Sequence, residues 1–197
     1  MKPVPPLDAA DPMAESTLKS SFPPPGQPST KKLAQLVGRA DEAFTKKKLR
    51  FTPLRQQVFE EIASTHGSIG AYDILAQLAG KGTRLAPISI YRAIDALLEA
   101  EVIHRLESKN AFFACRRLEH AHVPGGRPLI LACEKCGAVA EVPGQAIFDL
   151  IDEVAQSVDF KPRVRFVEVS GTCPRCARPA SPDEAGGQPT GKSNGRD

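Results

Sequence analysis

Two cysteine pairs constrain this chain more than any other feature. Cys133-Glu134-Lys135-Cys136-Gly137 is answered far downstream by Cys173-Pro174-Arg175-Cys176. Thiolates two residues apart can grip one metal from a tight turn, and Gly137 permits the backbone geometry such a turn needs. A second turn brought alongside completes a four-sulfur tetrahedral shell. Such a shell is closed, so the metal is structural, and zinc fits it best. Disulfides or a redox motif are the other readings of one pair, but two pairs in a chain of five cysteines point to zinc. The connecting residues 137–172 are too many for a compact zinc ribbon, so the metal staples a whole subdomain at both ends.

The 197 residues can hold one or two domains, each with its own core. A net charge of +3 does not by itself announce a nucleic-acid partner, so the local distribution of charge must decide. No apolar run approaches the roughly 18 residues that a membrane helix requires. The opening MKPVPPLDAADPM lacks the apolar core of a secretory signal. An odd number of cysteines, four of them in CxxC pairs, fits a reducing compartment. The expectation is a soluble cytoplasmic protein with no membrane partner. Residues 1–30 carry many prolines and few large apolar side chains, and 177–197 are rich in Pro, Gly, Ser and charge. Both tails are expected to be disordered, because neither can bury enough surface to offset chain entropy.

Between the tails the periodicity is clear. Leu33, Leu36, Val37 and Ala40 follow helical spacing, and a basic run of Lys46, Lys47, Lys48 and Arg50 comes next. Thr52-Pro53 reads as a capped helix start, with Leu54, Val58, Phe59 and Ile62 on one face and Gly67 ending the helix. A second helix from about Ala71 turns Ile74, Leu75 and Leu78 inward and stops at Gly80-Lys81-Gly82. A third begins after Pro87-Ile88-Ser89, with Ile90, Ile94, Leu97 and Leu98 inward and Ser89, Arg92 and Asp95 on other faces. Residues 102–106 and 111–115 are strand-like, joined by a turn at Ser108-Lys109-Asn110. Three helices followed by a β-hairpin is the order of a winged helix-turn-helix, whose third helix enters the major groove. A small helical subdomain with an incidental hairpin gives the same periodicity. The basic run ahead of the first helix favours DNA, because a phosphate backbone rewards Lys and Arg around a recognition helix.

After a polar Gly/Pro-bearing stretch, Leu129–Ala132 and Ala138–Val142 read as strands entering and leaving the first CxxC turn. Ile147, Leu150, Ile151, Val154 and Val158 mark an amphipathic helix, and residues 163–170 are β-rich. A half of roughly 50 residues needs a metal or a partner chain for stability, and its apolar strands and helix suit a two-fold interface. A second set of ligand types gathers around the odd cysteine. Cys115 ends the hairpin, His104 lies on the preceding strand, His120 and His122 follow in the polar stretch, and Glu141 lies on the strand leaving the zinc turn. His, Cys and carboxylate suit zinc. A metal held there would couple two domains. The bland reading is a strand histidine, a buried apolar thiol and a surface charge. One hinge histidine suffices, with His122 preferred and His120 the alternative. His66 reads as polar surface.

The segments FTPLRQQVFEEI, AYDIL, PISIYRAIDALLEAEVIHRLES, ILACEKCGAVAEV and VEVSGTCPRC, spanning about residues 49–176, resemble the Fur family of metal-responsive repressors, and within it the zinc-uptake branch. The His-His-Asp-His hinge cluster of iron- and peroxide-sensing members is absent from LEHAHVPGGRPLILAC, which departs from them. The resemblance implies an α+β architecture. A winged helix-turn-helix DNA-binding domain (31–116) would be joined by a hinge (117–128) to a small α/β dimerisation domain with structural zinc (129–176). It further implies two zinc ions per chain. One is held by Cys133, Cys136, Cys173 and Cys176, and a regulatory one by His104, Cys115, Glu141 and His122 or His120. Tyr72 and Arg92 match positions that touch bases, with Ser89 and Tyr91 beside them on the recognition helix. The implied function is a zinc-dependent homodimeric repressor on palindromic operators of zinc-uptake genes. Double-stranded DNA and a second copy would be its partners, with no small-molecule substrate. Sensing of another divalent metal, or a metal-independent DNA-binding module with structural zinc alone, are the alternatives. A zinc hydrolase or deaminase fits poorly: the CxxC pairs close their own site, and no HExxH is present.

Overall fold

The computed structural model describes residues 22, 26–115, 127–164 and 166–178. Helix α1 (Thr30–Lys46) is capped by the Ser29 side chain, which accepts from the Lys32 amide. Helix α2 (Pro53–Ser64) starts as the Thr52-Pro53 signal requires, with the Thr52 hydroxyl accepting from the Arg55 amide. A two-residue strand β1 (Ile69–Gly70) then leads into α3 (Ala71–Gly80), and α4 (Pro87–Glu99) begins at a first-position proline. Strands β2 (Ile103–Leu106) and β3 (Ala111–Ala114) form the hairpin. Their turn is a 3-10 segment, Glu107–Lys109, closed by Asn110 in the left-handed region. The sheet order is β1-β3-β2, all antiparallel.

Helical spacing turns Phe44, Phe59, Ile62, Ile74, Ile90, Ile94 and Leu97 into one core, each essentially inaccessible to solvent. Full burial of each contributes about 1.5–3 kcal/mol. Glu61 is buried, and it pairs with Lys81 at the end of α3.

The second half is a sheet of order β5-β4-β6. Strand β4 (Pro128–Cys133) pairs antiparallel with β5 (Val139–Pro143) and parallel with β6 (Val167–Gly171), the crossover being α5 (Gln145–Gln156). A short helix, α6 (Pro174–Ala177), follows Cys173. Register decides what this sheet presents. Ile130 lies opposite Glu141 on one side and Glu168 on the other, so these three share a face. Ala132 and Val139, also a partnered pair, share that face by the period of two. Against it pack Leu106 and Phe113 of the hairpin, with Phe166, in a small apolar cluster joining the two halves.

Several local readings change. The helix before Thr52 runs through the start of the basic run, and Lys47 serves the fold: its ammonium reaches the Glu99 carbonyl (2.7 Å) and pairs with Glu101 (3.0 Å). Helix α2 stops at Ser64, and Gly67 does not end it. Gly67 instead bridges antiparallel to Ala138. Of residues 163–170, the regular strand begins only at Val167. Phe22, within the stretch whose composition predicts disorder, packs against Cys133, Ala138 and Cys173. No helix among the described residues is long and apolar enough to cross a membrane.

Candidate metal centres and nucleic-acid interface

The four paired cysteines converge, their sulfur atoms all within 4.8 Å of one another. Gly137 takes φ +73, closing the first turn, and its amide donates to the Cys133 carbonyl at 3.0 Å. Strands β4 and β6 lie side by side, so Cys133 and Cys173 leave neighbouring strand ends. The Cys173 amide donates to Cys133 Sγ at 3.3 Å. Zinc–sulfur bonds of about 2.3 Å in a tetrahedron imply sulfur atoms about 3.8 Å apart. Cys136 Sγ and Cys173 Sγ are 3.7 Å apart. The donor set therefore fits zinc. Its electrostatics agree. Burial pushes the Cys133 thiol up, but the amides of Cys136, Cys173 and Lys135 outweigh it and bring it to about 6. Cys176, hydrogen-bonded to Cys136 and partly desolvated, is pushed up to about 12. A bound cation would draw all four sulfurs into the thiolate form.

The second set is also assembled. His104 stands on β2, Cys115 one residue past β3, and Glu141 on β5, with one ligand atom of each within 4.8 Å of the others. Their side chains come from both halves, because Glu141 lies on the face that meets the hairpin. The Glu141 side chain is 5% exposed and His104 12%. His104 Nε2 is 2.8 Å from a Glu141 oxygen, and the Cys115 sulfur is 3.8 and 3.9 Å from the two carboxylate oxygens. Although so close to the carboxylate, the buried Nε2 makes no hydrogen bond of acceptable geometry. Three converging donors with an orphaned ring nitrogen fit a cation of zinc's preference. Burial alone would lower the His104 pKa, but the Cys115 thiol and the Glu141 carboxylate beside the ring override it and hold it at about 9. His120 and His122 lie outside the described residues.

The residues expected at DNA lie at neighbouring helix starts. Tyr72, in the first turn of α3, is 70% exposed, while Tyr91 and Arg92 are exposed on α4 and Ser89 is half-buried. Ile88 and Asp95 share the Arg92 face at helical spacing and are exposed too. His66 is not plain polar surface. Its Nε2 is 2.9 Å from Arg175 Nη2, and its Nδ1 is buried without a hydrogen-bond partner. The sequence carried no signal for that contact, because it joins residues 109 apart.

Comparison with known proteins agrees with this geometry. The zinc uptake regulation protein of Escherichia coli (strain K12) is 30% identical over 142 residues, 72% of this chain and 81% of that protein. The peroxide-responsive repressor PerR of Staphylococcus epidermidis is 25% identical over 131 residues, 65% of this chain and 81% of its own length. Among solved structures, a zinc uptake regulator complexed with zinc and DNA superimposes with a TM-score of 0.66 at 29% identity, covering 73% of this chain and 94% of that one. The holo form of XcZur gives 0.62 at 30% identity, covering 72% and 96%. The family model described as the ferric uptake regulator family matches residues 46–170, and the chain belongs to that family.

Proposed function

We propose that the chain is a zinc-dependent transcriptional repressor that binds operator DNA as a homodimer, with zinc as corepressor. The observation that carries this reading is the convergence of His104 and Cys115, on the hairpin, with Glu141 on the second sheet. Three ligands split between two halves make occupancy a constraint on their relative orientation. The similarity to a regulator solved with zinc and DNA supports the same conclusion.

The proposed division is a winged-helix DNA-binding domain at 31–116, a hinge at 117–128 and a dimerisation domain at 129–176, between tails at 1–30 and 177–197. Cys133, Cys136, Cys173 and Cys176 hold structural zinc. His104, Cys115 and Glu141, with His122 or His120 from the hinge, hold the regulatory zinc. When bound there, zinc supplies the positive charge that lets a thiolate, a carboxylate and a neutral imidazole sit together out of water. His104 and Cys115 then fix the hairpin, and with it α4, against β5. Tyr72, Ser89, Tyr91 and Arg92 face the major groove, where Arg92 can make a bidentate contact with guanine. Exposed Ile147, Leu150, Val154, Val158 and Phe160, with Val169 of β6, supply the two-fold interface. Two recognition helices at a fixed spacing, on the order of 34 Å, match successive major grooves. The protein acts in the cytoplasm and by binding, not by turnover.

A mobility shift on a zinc-transporter promoter, with free zinc buffered over several decades and cluster zinc retained, tests this. The expected result is operator binding above a low zinc threshold and none with iron or manganese at matched availability. Binding indifferent to zinc would sink the corepressor reading.

A further inference from the structure

The four-cysteine cluster touches the DNA-binding half directly, at residues that no zinc ligand set includes. The loop between α2 and α3 lies on the first CxxC turn, where Gly67 bridges to Ala138. A Cβ at position 67 would sit 2.0 Å from the Gly137 carbonyl oxygen and 2.6 Å from its carbon. Both are backbone atoms of the cluster turn, so nothing there can swing aside. Gly67 is not among the glycines of positive φ, so close approach, not turn geometry, is what demands glycine here.

Beside it, His66 Nε2 meets Arg175 Nη2 at 2.9 Å, and the same guanidinium nitrogen lies 3.7 Å from Cys136 Sγ. A guanidinium only donates, so the imidazole accepts on Nε2 and carries its proton on Nδ1, the buried atom without a partner. One arginine thus links a cluster sulfur to the loop that leads into α3. A third contact comes from the hairpin turn, where Lys109 Nζ donates to the Cys133 carbonyl at 3.4 Å. These contacts use none of His104, Cys115 or Glu141.

We infer that the cysteine cluster is also the seat of the DNA-binding half, with His66 and Gly67 as positioning residues that hold α3 and α4 in the DNA-competent orientation. The inference rests on the function proposed above. The arrangement it stabilises is the one that superimposes on the solved complex with zinc and DNA at a TM-score of 0.66. The seat and the second metal site favour the same orientation. Weakening the seat therefore costs DNA affinity and, by linkage, raises the zinc needed.

Three full-length variants test this: His66→Leu, His66→Gln and Gly67→Ala, each checked for retained cluster zinc by metal analysis. Operator affinity is measured in buffered zinc, and amide hydrogen exchange is followed at residues 65–70. His66→Leu is expected to lower affinity roughly two- to tenfold, the range for one hydrogen bond, with a comparable rise in half-maximal zinc. Exchange at 65–70 should quicken. His66→Gln keeps an acceptor and should restore most of the loss, which a merely bulky core role would not allow. Gly67→Ala should lose at least about tenfold. Wild-type affinity, zinc dependence and exchange in both His66→Leu and Gly67→Ala would overturn the seat. If the unmodified protein shows no zinc-dependent operator binding, the functional reading fails. Exchange at 65–70 still decides the contact: faster in His66→Leu supports it, unchanged overturns it.

Discussion

Replacing Glu141 by glutamine keeps the size of the side chain and removes its charge from a site where geometry leaves little slack. The carboxylate stands 2.8 Å from His104 Nε2 and within 3.9 Å of the Cys115 sulfur. Without zinc at this site, His104 titrates near 9 although its burial opposes the charged form, because Cys115 and Glu141 support it. Two partners share that support, so Glu141→Gln should bring the His104 pKa down towards its ordinary value. The sign follows from a raised native pKa. The link stabilises the fold fully below about 6.5 and is lost as pH rises through about 9. With only cluster zinc loaded, the native chain should therefore be more stable at pH 6 than at pH 9.5, and the variant should show a smaller difference. The ring resonances of His104, titrated by NMR with the second site kept empty by a chelator, give the pKa directly. Zinc affinity should fall at least about 100-fold, or ~2.7 kcal/mol, since an anionic ligand is lost and not merely its support. An unchanged His104 titration together with an unchanged zinc half-point for DNA binding would refute the assignment of Glu141 to this site.

Other perturbations separate the roles. Cys115→Ala should abolish zinc-dependent operator binding while leaving a folded dimer on size-exclusion chromatography; normal zinc-dependent binding would remove Cys115 from the ligand set. Cys133→Ala should unfold or monomerise the second half, visible as a shifted elution volume and loss of one zinc per chain. Arg92→Ala should cost about 1–3 kcal/mol on the operator and relax preference at one base pair in a competition assay. Phe113→Ala empties a position in the cluster joining hairpin to sheet and should lower the unfolding free energy by about 3–5 kcal/mol in denaturant melts.

The helices were legible because their signals are local. Thr52-Pro53 and Pro87 mark starts, and Ile90, Ile94 and Leu97 repeat at the period of a buried stripe. The CxxC turns were equally plain, since each places two thiols within four residues, and Gly137 closes the first. What stayed hidden depends on distant partners. Strand β1 is two residues long and exists only because Phe112 and Ala111 lie beside it. Gly67 looked like a helix stop, whereas its partner is a turn some seventy residues away in sequence. Lys47 looked like part of a phosphate-facing run, and folding brought it to the carbonyl at the end of α4. The meeting of Glu141 with His104 lay between. The ligand types were readable, but only the register that aligns Glu141 with Ile130 turns that carboxylate towards the hairpin.

The parallel pairing of β4 with β6 has a consequence for how the chain is made. Cys133 ends one strand and Cys173 follows the other, 40 residues later. At ~5–20 residues per second, the first thiol pair waits about 2–8 s on the ribosome before the second pair is synthesised. During that interval β4 can hold its antiparallel neighbour β5 but not its parallel one, and two sulfurs cannot satisfy a metal that wants four. Metal capture and sheet completion therefore become a single late event in biogenesis. Folding of the second half is thereby tied to zinc supply, because the sheet and its metal shell are completed by the same segment.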